Sequence, residues 1–463
     1  MDVPESPAGS VRQTMNERRK IVVLDDDPTG SQTVHGCLLL TRWEPEELRA
    51  GLLDPSPLLF ILTNSRSLTP EKASAVTREV CRGLKTVLGT LHGGDACLNP
   101  VIVSRSDSTL RGHYPLETDV IAGELGPFDA HFLVPAFFEG GRITRDSTHY
   151  LKSDRGEIPV HETVFAQDSV FGYRNSFLPA WVEEKTSGRI RAEDVKRYRL
   201  QDLNGTLLDS LLSLRGNRCC VVDSTRQAEM DLFARDALSA IGQGKKFLFR
   251  SAASFLTSLA QLPLQPVPPA EMHRLVRNAR PGAVLVGSHV KRTTDQLGHL
   301  LRETGLPRIE IDVERLPKQF NHIVEEVVHQ ASVVHRGGQT CVIYTSRAEK
   351  VFLDKEARLE FGERISDLLV TVVRRLPETL GFLVSKGGIT SHDVLSHGLS
   401  LGAARLLGQI IPGCSVVRCP EDHARYPGLP LVIFPGNVGD ETALLRVYQI
   451  LSTASNLHIS RSG

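Results

Sequence analysis

Ile21-Val22-Val23-Leu24-Asp25-Asp26-Asp27-Pro28-Thr29-Gly30 is the stretch that decides how this chain is read. Four apolar residues rich in β-branched types describe a strand buried on both faces, and the run is cut off by three acids, a proline and a glycine. Carboxylates therefore stand at the carboxyl end of a strand. In an open α/β sheet that edge faces the ligand crevice, where an acid can hold a metal, a substrate hydroxyl or a proton. A single acid there would read as a solvated turn; three, closed by Pro-x-Gly, point to function.

Outward from this strand the pattern repeats. Residues 58–62 form an apolar run ending in Thr63-Asn64-Ser65-Arg66-Ser67, with a helical pattern from about 70 to 88. Residues 101–103 lead into Ser104-Arg105-Ser106-Asp107-Ser108-Thr109-Leu110-Arg111-Gly112-His113, and residues 131–134 into Pro135-Ala136-Phe137-Phe138-Glu139-Gly140-Gly141-Arg142. Arg111 or Arg105 suits two-pronged binding of a carboxylate, while Asp107 and the hydroxyls suit sugar-like OH groups; a self-satisfied Arg-Asp loop is the bland alternative. The glycines beside Arg142 allow close backbone approach to a ligand. Residues 152–215 turn polar around Trp181 and read as an insertion or a cover for the crevice, after which strands resume at 219–222 and 247–249. Strands alternating with helices predict a parallel sheet with helices on both faces.

Residues 262–269 hold four prolines and form the best linker candidate. The expected organisation is a disordered lead over 1–18, a first domain over 19–261, a Pro-rich linker over 262–276 and a second domain over 277–463, each domain a largely parallel sheet flanked by helices. One stiff strap would let two lobes close over a ligand in the crevice between them. The α/β rhythm restarts at 283–286, ending in Gly287-Ser288, and continues with strands near 308–313 and 340–344 and an amphipathic helix over 355–376 that includes Leu359. Two further strands end in glycine turns followed by helices, Ser385-Lys386-Gly387-Gly388-Ile389-Thr390-Ser391-His392-Asp393 and Pro435-Gly436-Asn437-Val438-Gly439-Asp440. Such turns let backbone N–H groups converge on an anion, with the helix dipole favouring negative charge at the same spot. None matches the Walker A or dinucleotide fingerprints.

Composition narrows the function classes. With 54 basic and 54 acidic residues, no global field draws the protein to nucleic acid or to an anionic membrane. No apolar run reaches the roughly 18–20 residues of a membrane span, and the N-terminus lacks the apolar core of a secretory signal. The eight cysteines, Cys97 among them, contain no C-x-x-C pair, so reduced, packed thiols and a cytoplasmic location are expected. His392 and His397 stand five apart, a spacing that does not share one α-helical face, which argues against a structural zinc site.

Several of these motifs resemble the four-carbon acid sugar kinase family. Asp26-Asp27-Pro28-Thr29-Gly30 is similar to its DD-x-TG signature, Asp107 to Gly112 to its DSTLRG motif, and Pro135-Ala136-Phe137 with Gly141-Arg142 to its PAFPxxGR segment. Gly287-Ser288, Lys386 to Ser391 and Pro435 to Gly439 are similar, in the same order, to its nucleotide-lobe turns. The resemblance spans roughly residues 20–450 and implies a two-domain kinase that uses ATP and Mg²⁺ to phosphorylate the terminal hydroxyl of a small acid sugar such as threonate, erythronate or an oxo-tetronate. It implies catalytic roles for Asp27 and Asp26, with Asp27 favoured for orienting or deprotonating the hydroxyl. Substrate contacts would come from Asp26, Asp107, Ser108, Arg111, Gly141 and Arg142. Nucleotide contacts would come from Ser288, Lys386, Gly387, Gly388, Ile389, Thr390, Gly436 and Asn437. No metal ligand is assigned, and assembly into a homo-oligomer is compatible with the sequence. The chain departs from the family at Phe434, where a lysine is frequent and for which Lys386 could substitute, and at Phe138, Ser147-Thr148 and His113. These changes bear on the substrate and leave open a catalytically weakened member that senses a sugar acid or nucleotide. A dinucleotide enzyme ranks below both because no fingerprint follows an early strand.

Overall fold

The computed structural model describes residues 19–91, 98–153, 156–204, 207–347 and 355–462, without the side chains of 355–359, 389 and 454–462. The expectations placed on residues 1–18, on Cys97 and on the side chains of Leu359 and Ile389 lie outside the described residues.

The first half contributes β1 (Ile21–Asp25), β2 (Leu38–Leu40), β3 (Leu58–Leu62), β4 (Val101–Arg105), β5 (Ala130–Val134), a separate antiparallel trio β6 (Arg142–Arg145), β7 (Thr148–Ser153) and β8 (Gly156–Pro159), then β9 (Lys196–Tyr198), β10 (Arg218–Val222) and β11 (Phe247–Ser251). The second half contributes β12 (Ala283–Val286), β13 (Arg308–Ile311), β14 (Cys341–Thr345), β15 (Leu383–Lys386), β16 (Ala403–Ile411), β17 (Cys414–Arg418) and β18 (Pro430–Phe434). The strands β2-β3-β1-β4-β11-β5-β10-β9 are all parallel, as are β13-β14-β12-β15-β18. β1 is buried at every position, as its apolar run requires when helices cover both faces.

The two parallel sets are not separate sheets. The β16–β17 hairpin, turned at Pro412-Gly413, pairs with β18 on one side and with β2 on the other, so fifteen strands form one continuous sheet. The linker is therefore not the only connection between the halves, contrary to the single-strap expectation. Cys37 and Leu406 reinforce the junction through Leu406 N–H donating to Cys37 O at 2.8 Å, and Arg405 forks onto Asp54 at 2.6 and 2.9 Å. The antiparallel hairpin reverses strand direction between the sets, and β1 stands six strand steps from β15. At roughly 20–25° of twist per step, the sheet rotates by about 120–150° over that span. Direction reversal plus twist turns the carboxyl ends of both sets toward a common cleft.

Within residues 152–215, β9 joins the main sheet as its edge strand and the helix Leu178–Lys185 packs against Leu110 and Tyr114 beyond β4, while the β6–β8 trio, which starts before this segment, meets the strand-end loops through Thr144 with Ser224 and His149 with Ser108. All seven described cysteines are buried and unpaired. No described helix is long and apolar enough to cross a membrane.

Candidate active site

The carboxyl ends of β1, β3 and β4 bring three acids onto one guanidinium. Arg66, just beyond β3, reaches Asp26 at 2.9 Å, Asp27 at 3.2 Å and Asp107 at 3.8 Å. The side chain of Asp26 is 1% exposed and that of Asp27 24%. Burial pushes the Asp26 carboxyl up to about 6 even with Arg66 beside it. For Asp27 burial acts in the same direction, but Arg66 and hydrogen bonds from the Thr29 amide and hydroxyl outweigh it and hold the group below the usual carboxylate range. Asp25, the last residue of β1, is fully buried; burial pushes it up to about 8 although Arg105 lies 3.9 Å away.

Gly30 exists to make room for Asp25. A Cβ at that position would stand 2.0 Å from Asp25 Oδ1, with the strand backbone fixing the carboxyl in place. Gly30→Ala is expected to cost about 1–3 kcal/mol through overpacking, read as a lowered thermal midpoint.

The loop after β4 is drawn tightly against this cluster. Asp107 accepts from Arg111 Nε at 2.6 Å and from the Thr109 hydroxyl. Burial would raise its pKa, but Arg66 and Arg111 hold it far below the ordinary value. Leu110 adopts φ 66°, a conformation that costs a bulky residue about 1–3 kcal/mol and must be over-determined by its surroundings. The surroundings are visible: Tyr173 donates to Thr109 O at 2.6 Å, and His149 bonds Ser108 O at 2.8 Å. Gly112, at φ 118°, allows Asp26 to approach, since a Cβ would lie 3.1 Å from its Oδ2. Arg111 and Arg142 both lie over the ring of Phe165, at 5.1 and 5.7 Å from its centroid. Arg142 Nε is buried with no hydrogen-bond partner among the described residues. Gly141, at φ 73°, sets the turn that delivers it.

In the second half, three glycine turns converge on Ser288. A Cβ on Gly387 would stand 3.1 Å from Ser288 Cβ, and one on Gly436 3.0 Å from Ser288 Oγ; on Gly287 it would strike Thr390 Oγ1 at 2.3 Å. Gly387 also holds φ 127°, which residues with a side chain rarely adopt. The first two of these turns, at Gly287-Ser288 and Gly387-Gly388, border a cavity of about 700 Å³ whose rim includes Ser288, Gly387, Gly388 and Thr390 and whose wall includes Ile365 and Leu369. That volume and mixed lining suit a drug-sized or nucleotide-sized ligand. Arg347, beyond β14, donates to Ser288 O at 2.6 Å and leaves Nη1 buried without a partner on the same cavity. Lys386 is placed behind the turns: its Nζ donates to Pro435 O at 2.6 Å and lies 3.9 Å over the Phe434 ring, and burial drives its pKa down to about 7. Asn437 is exposed at the tip of the last turn.

The two halves meet where Asp27 faces the second glycine turn, a Cβ on Gly388 falling 4.0 Å from Asp27 Oδ2. Thus Asp26, Asp27, Asp107 and Arg111 gather on one side, Arg142 with Gly141 borders them through Phe165, and Ser288, Gly387, Gly388, Thr390 and Gly436 gather on the other. Sequence reasoning did not single out Arg66, Phe165 or Arg347. Arg66 and Arg347 stand one turn past strand ends, the position that marked the acids; Phe165 carried no signal within a polar segment.

This architecture is that of a two-domain protein class. Residues 21–259 match the sugar-binding N-terminal domain and residues 283–444 the nucleotide-binding C-terminal domain of one family. The chain belongs to that family, the four-carbon acid sugar kinases. It is 24% identical over 471 aligned positions to the D-erythronate kinase of Heliobacterium modesticaldum, covering 94% of this chain and 97% of that one. Over 167 positions it is 29% identical to the D-threonate kinase of Bordetella bronchiseptica, covering 34% and 38% of the two chains. Solved structures of a Haemophilus influenzae protein (TM-score 0.63, 16% identity, 93% of this chain and 100% of that one) and a Salmonella typhimurium protein (0.67, 17%, 92% and 98%) share the fold.

Proposed function

We propose that the protein transfers the γ-phosphoryl group of ATP to the terminal hydroxyl of a four-carbon acid sugar of the erythronate or threonate type. The observation that carries this reading is the approach of Asp27 to Gly388, which joins an acid- and arginine-lined site to the glycine turns across one cleft. The division into a sugar-acid lobe over 19–261, a linker over 262–276 and a nucleotide lobe over 277–463 belongs to the same proposal.

Phosphoryl transfer asks the protein for positioning and charge neutralisation. Ionised Asp27, with one oxygen held by Thr29 and the other turned toward Gly388, orients the hydroxyl and accepts its proton as the bond to phosphorus forms. Asp26 has the higher pKa but is 1% exposed and forked onto Arg66, so it holds the cluster and does not reach the substrate. Arg111 and Arg142 take the carboxylate, and Asp107 with Ser108 addresses hydroxyls. Ser288, Gly387 to Thr390 and Gly436 cradle the phosphates, Arg347 adds a cation, and Lys386 acts through the carbonyls of the Pro435-Gly436 turn. Asn437 at the tip of that turn borders the nucleotide. Magnesium would be held largely by the phosphates and water, leaving Asp27 to the substrate hydroxyl. The ion would neutralise charge on the β- and γ-phosphates.

The experiment is phosphorus NMR of the chain with Mg-ATP and a panel of four- to six-carbon sugar acids. A phosphomonoester on the terminal carbon of one acid is expected; no product across the panel overturns the reading. The placement of Lys386 behind the turn favours one alternative, a weakened member acting as a sensor, which would bind both ligands in calorimetry and form no product. Arg111→Ala is expected to weaken sugar-acid binding by about tenfold or more, the order of a lost charge-assisted bond, while leaving ATP affinity unchanged in isothermal titration.

A further inference from the structure

Beyond the phosphate turns, the helix Gly388–Asp393 does not simply continue. It passes into a π-helical turn over Val394–Gly398. The wider turn shifts the spacing at which side chains share a face, so His392 and His397, five apart and unsuited to one α-helical face, come to the same side with ring centroids 6.3 Å apart. Asp393 joins them: one ligating atom from each of the three side chains lies within 4.8 Å of the other two. Such π-turns are concentrated at functional sites.

We propose that His392, Asp393 and His397 bind a divalent transition metal, of which zinc is the best match. Two imidazoles with one carboxylate are a borderline-soft donor set suited to zinc, cobalt or iron and poorly suited to magnesium. Three further observations support it. His392 Nδ1 is buried with no hydrogen-bond partner among the described residues, so the ring keeps a nitrogen that no protein group satisfies. The Ser366 hydroxyl donates to Asp393 Oδ2, the kind of outer contact that orients a ligating carboxylate. With bonds of about 2.0–2.2 Å in a tetrahedral arrangement, ligand atoms around zinc lie about 3.3–3.6 Å apart, so three atoms within 4.8 Å of one another close on the metal by an adjustment of up to about 1.5 Å, within reach of a side-chain rotation. His397 is exposed and free to supply that adjustment. The site borders the glycine turns, since Asp393 lines the same cavity as Ser288 and Thr390.

The test needs neither nucleotide nor sugar acid, so it stands or falls apart from the kinase reading. Chelator-stripped full-length chain is dialysed against micromolar Zn²⁺ and its metal counted by mass spectrometry, and Co²⁺ is titrated in parallel for visible d–d absorption. About one equivalent and a Co²⁺ band are expected, with affinity reduced at least tenfold in His392→Ala and in His397→Gln. His397 is on the surface, so its variant folds and decides the question even if the other does not; circular dichroism checks this. No Co²⁺ band in the parent chain, a band with the intense near-ultraviolet charge transfer of thiolate ligands, or binding unchanged in His397→Gln would overturn the site.

Discussion

Asp27→Asn is expected to lower kcat by a factor of about 10²–10⁴, the range that a positioned acid or base contributes, with little change in the KM for ATP. Asparagine keeps the size of the side chain and can still meet Thr29, but it loses the charge that attracts the substrate hydroxyl proton and the pairing with Arg66 at 3.2 Å. Asp26→Asn should act differently. That carboxyl is buried and paired, so its loss would show as a lowered thermal midpoint before it shows as lost turnover. Steady-state rates and melting curves for the two variants, measured together, separate the roles; equal rate losses with unchanged melting would reverse the assignment.

Arg66→Met has the largest expected effect on stability. One guanidinium serves Asp26, Asp27 and Asp107, and removing it leaves buried carboxylates without their main counter-charge, a change that costs about 3–5 kcal/mol. The pH dependence follows from the shifts. Arg66 is among the groups that hold Asp27 and Asp107 below their ordinary values, so it contributes stability that is present above the unfolded carboxylate range near pH 4 and is lost as pH falls through the depressed folded values. The gap in thermal midpoint between parent and variant is therefore expected to be widest at pH 7–8, to begin shrinking as Asp26 takes up its proton near pH 6, and to shrink further as pH is lowered past 4. A gap independent of pH would mean that Arg66 acts by packing alone.

The sequence made legible those features that follow from local rules. A buried apolar run stopped by acids located β1 and its carboxyl edge, and the same logic found the ends of β4, β15 and β18. The glycine turns were readable because only glycine tolerates φ 127° at Gly387 or the closeness of Thr390 to Gly287. What escaped depended on distant partners. β2 is three residues long, and β16 alternates buried and half-buried positions; neither advertises that they pair with each other, more than 360 residues apart, to fuse two sheets into one. Arg66 stands in the polar loop after β3, but nothing local says that three acids from two other loops converge on it. A spacing of five keeps His392 and His397 apart on an α-helix, and the π-turn that brings them together arises from packing that a spacing rule does not contain.

In the proposed reaction a sugar acid and a triphosphate meet between Asp27 and Gly388. The most direct measurement is a crystal structure with a non-hydrolysable ATP analogue and D-erythronate bound together. The terminal phosphate is expected against Gly387-Gly388 and the substrate hydroxyl at about 3 Å from the Asp27 carboxylate, within hydrogen-bond reach. A nucleotide seated away from the Ser288 turns, or a hydroxyl separated from Asp27 by another side chain, would contradict it.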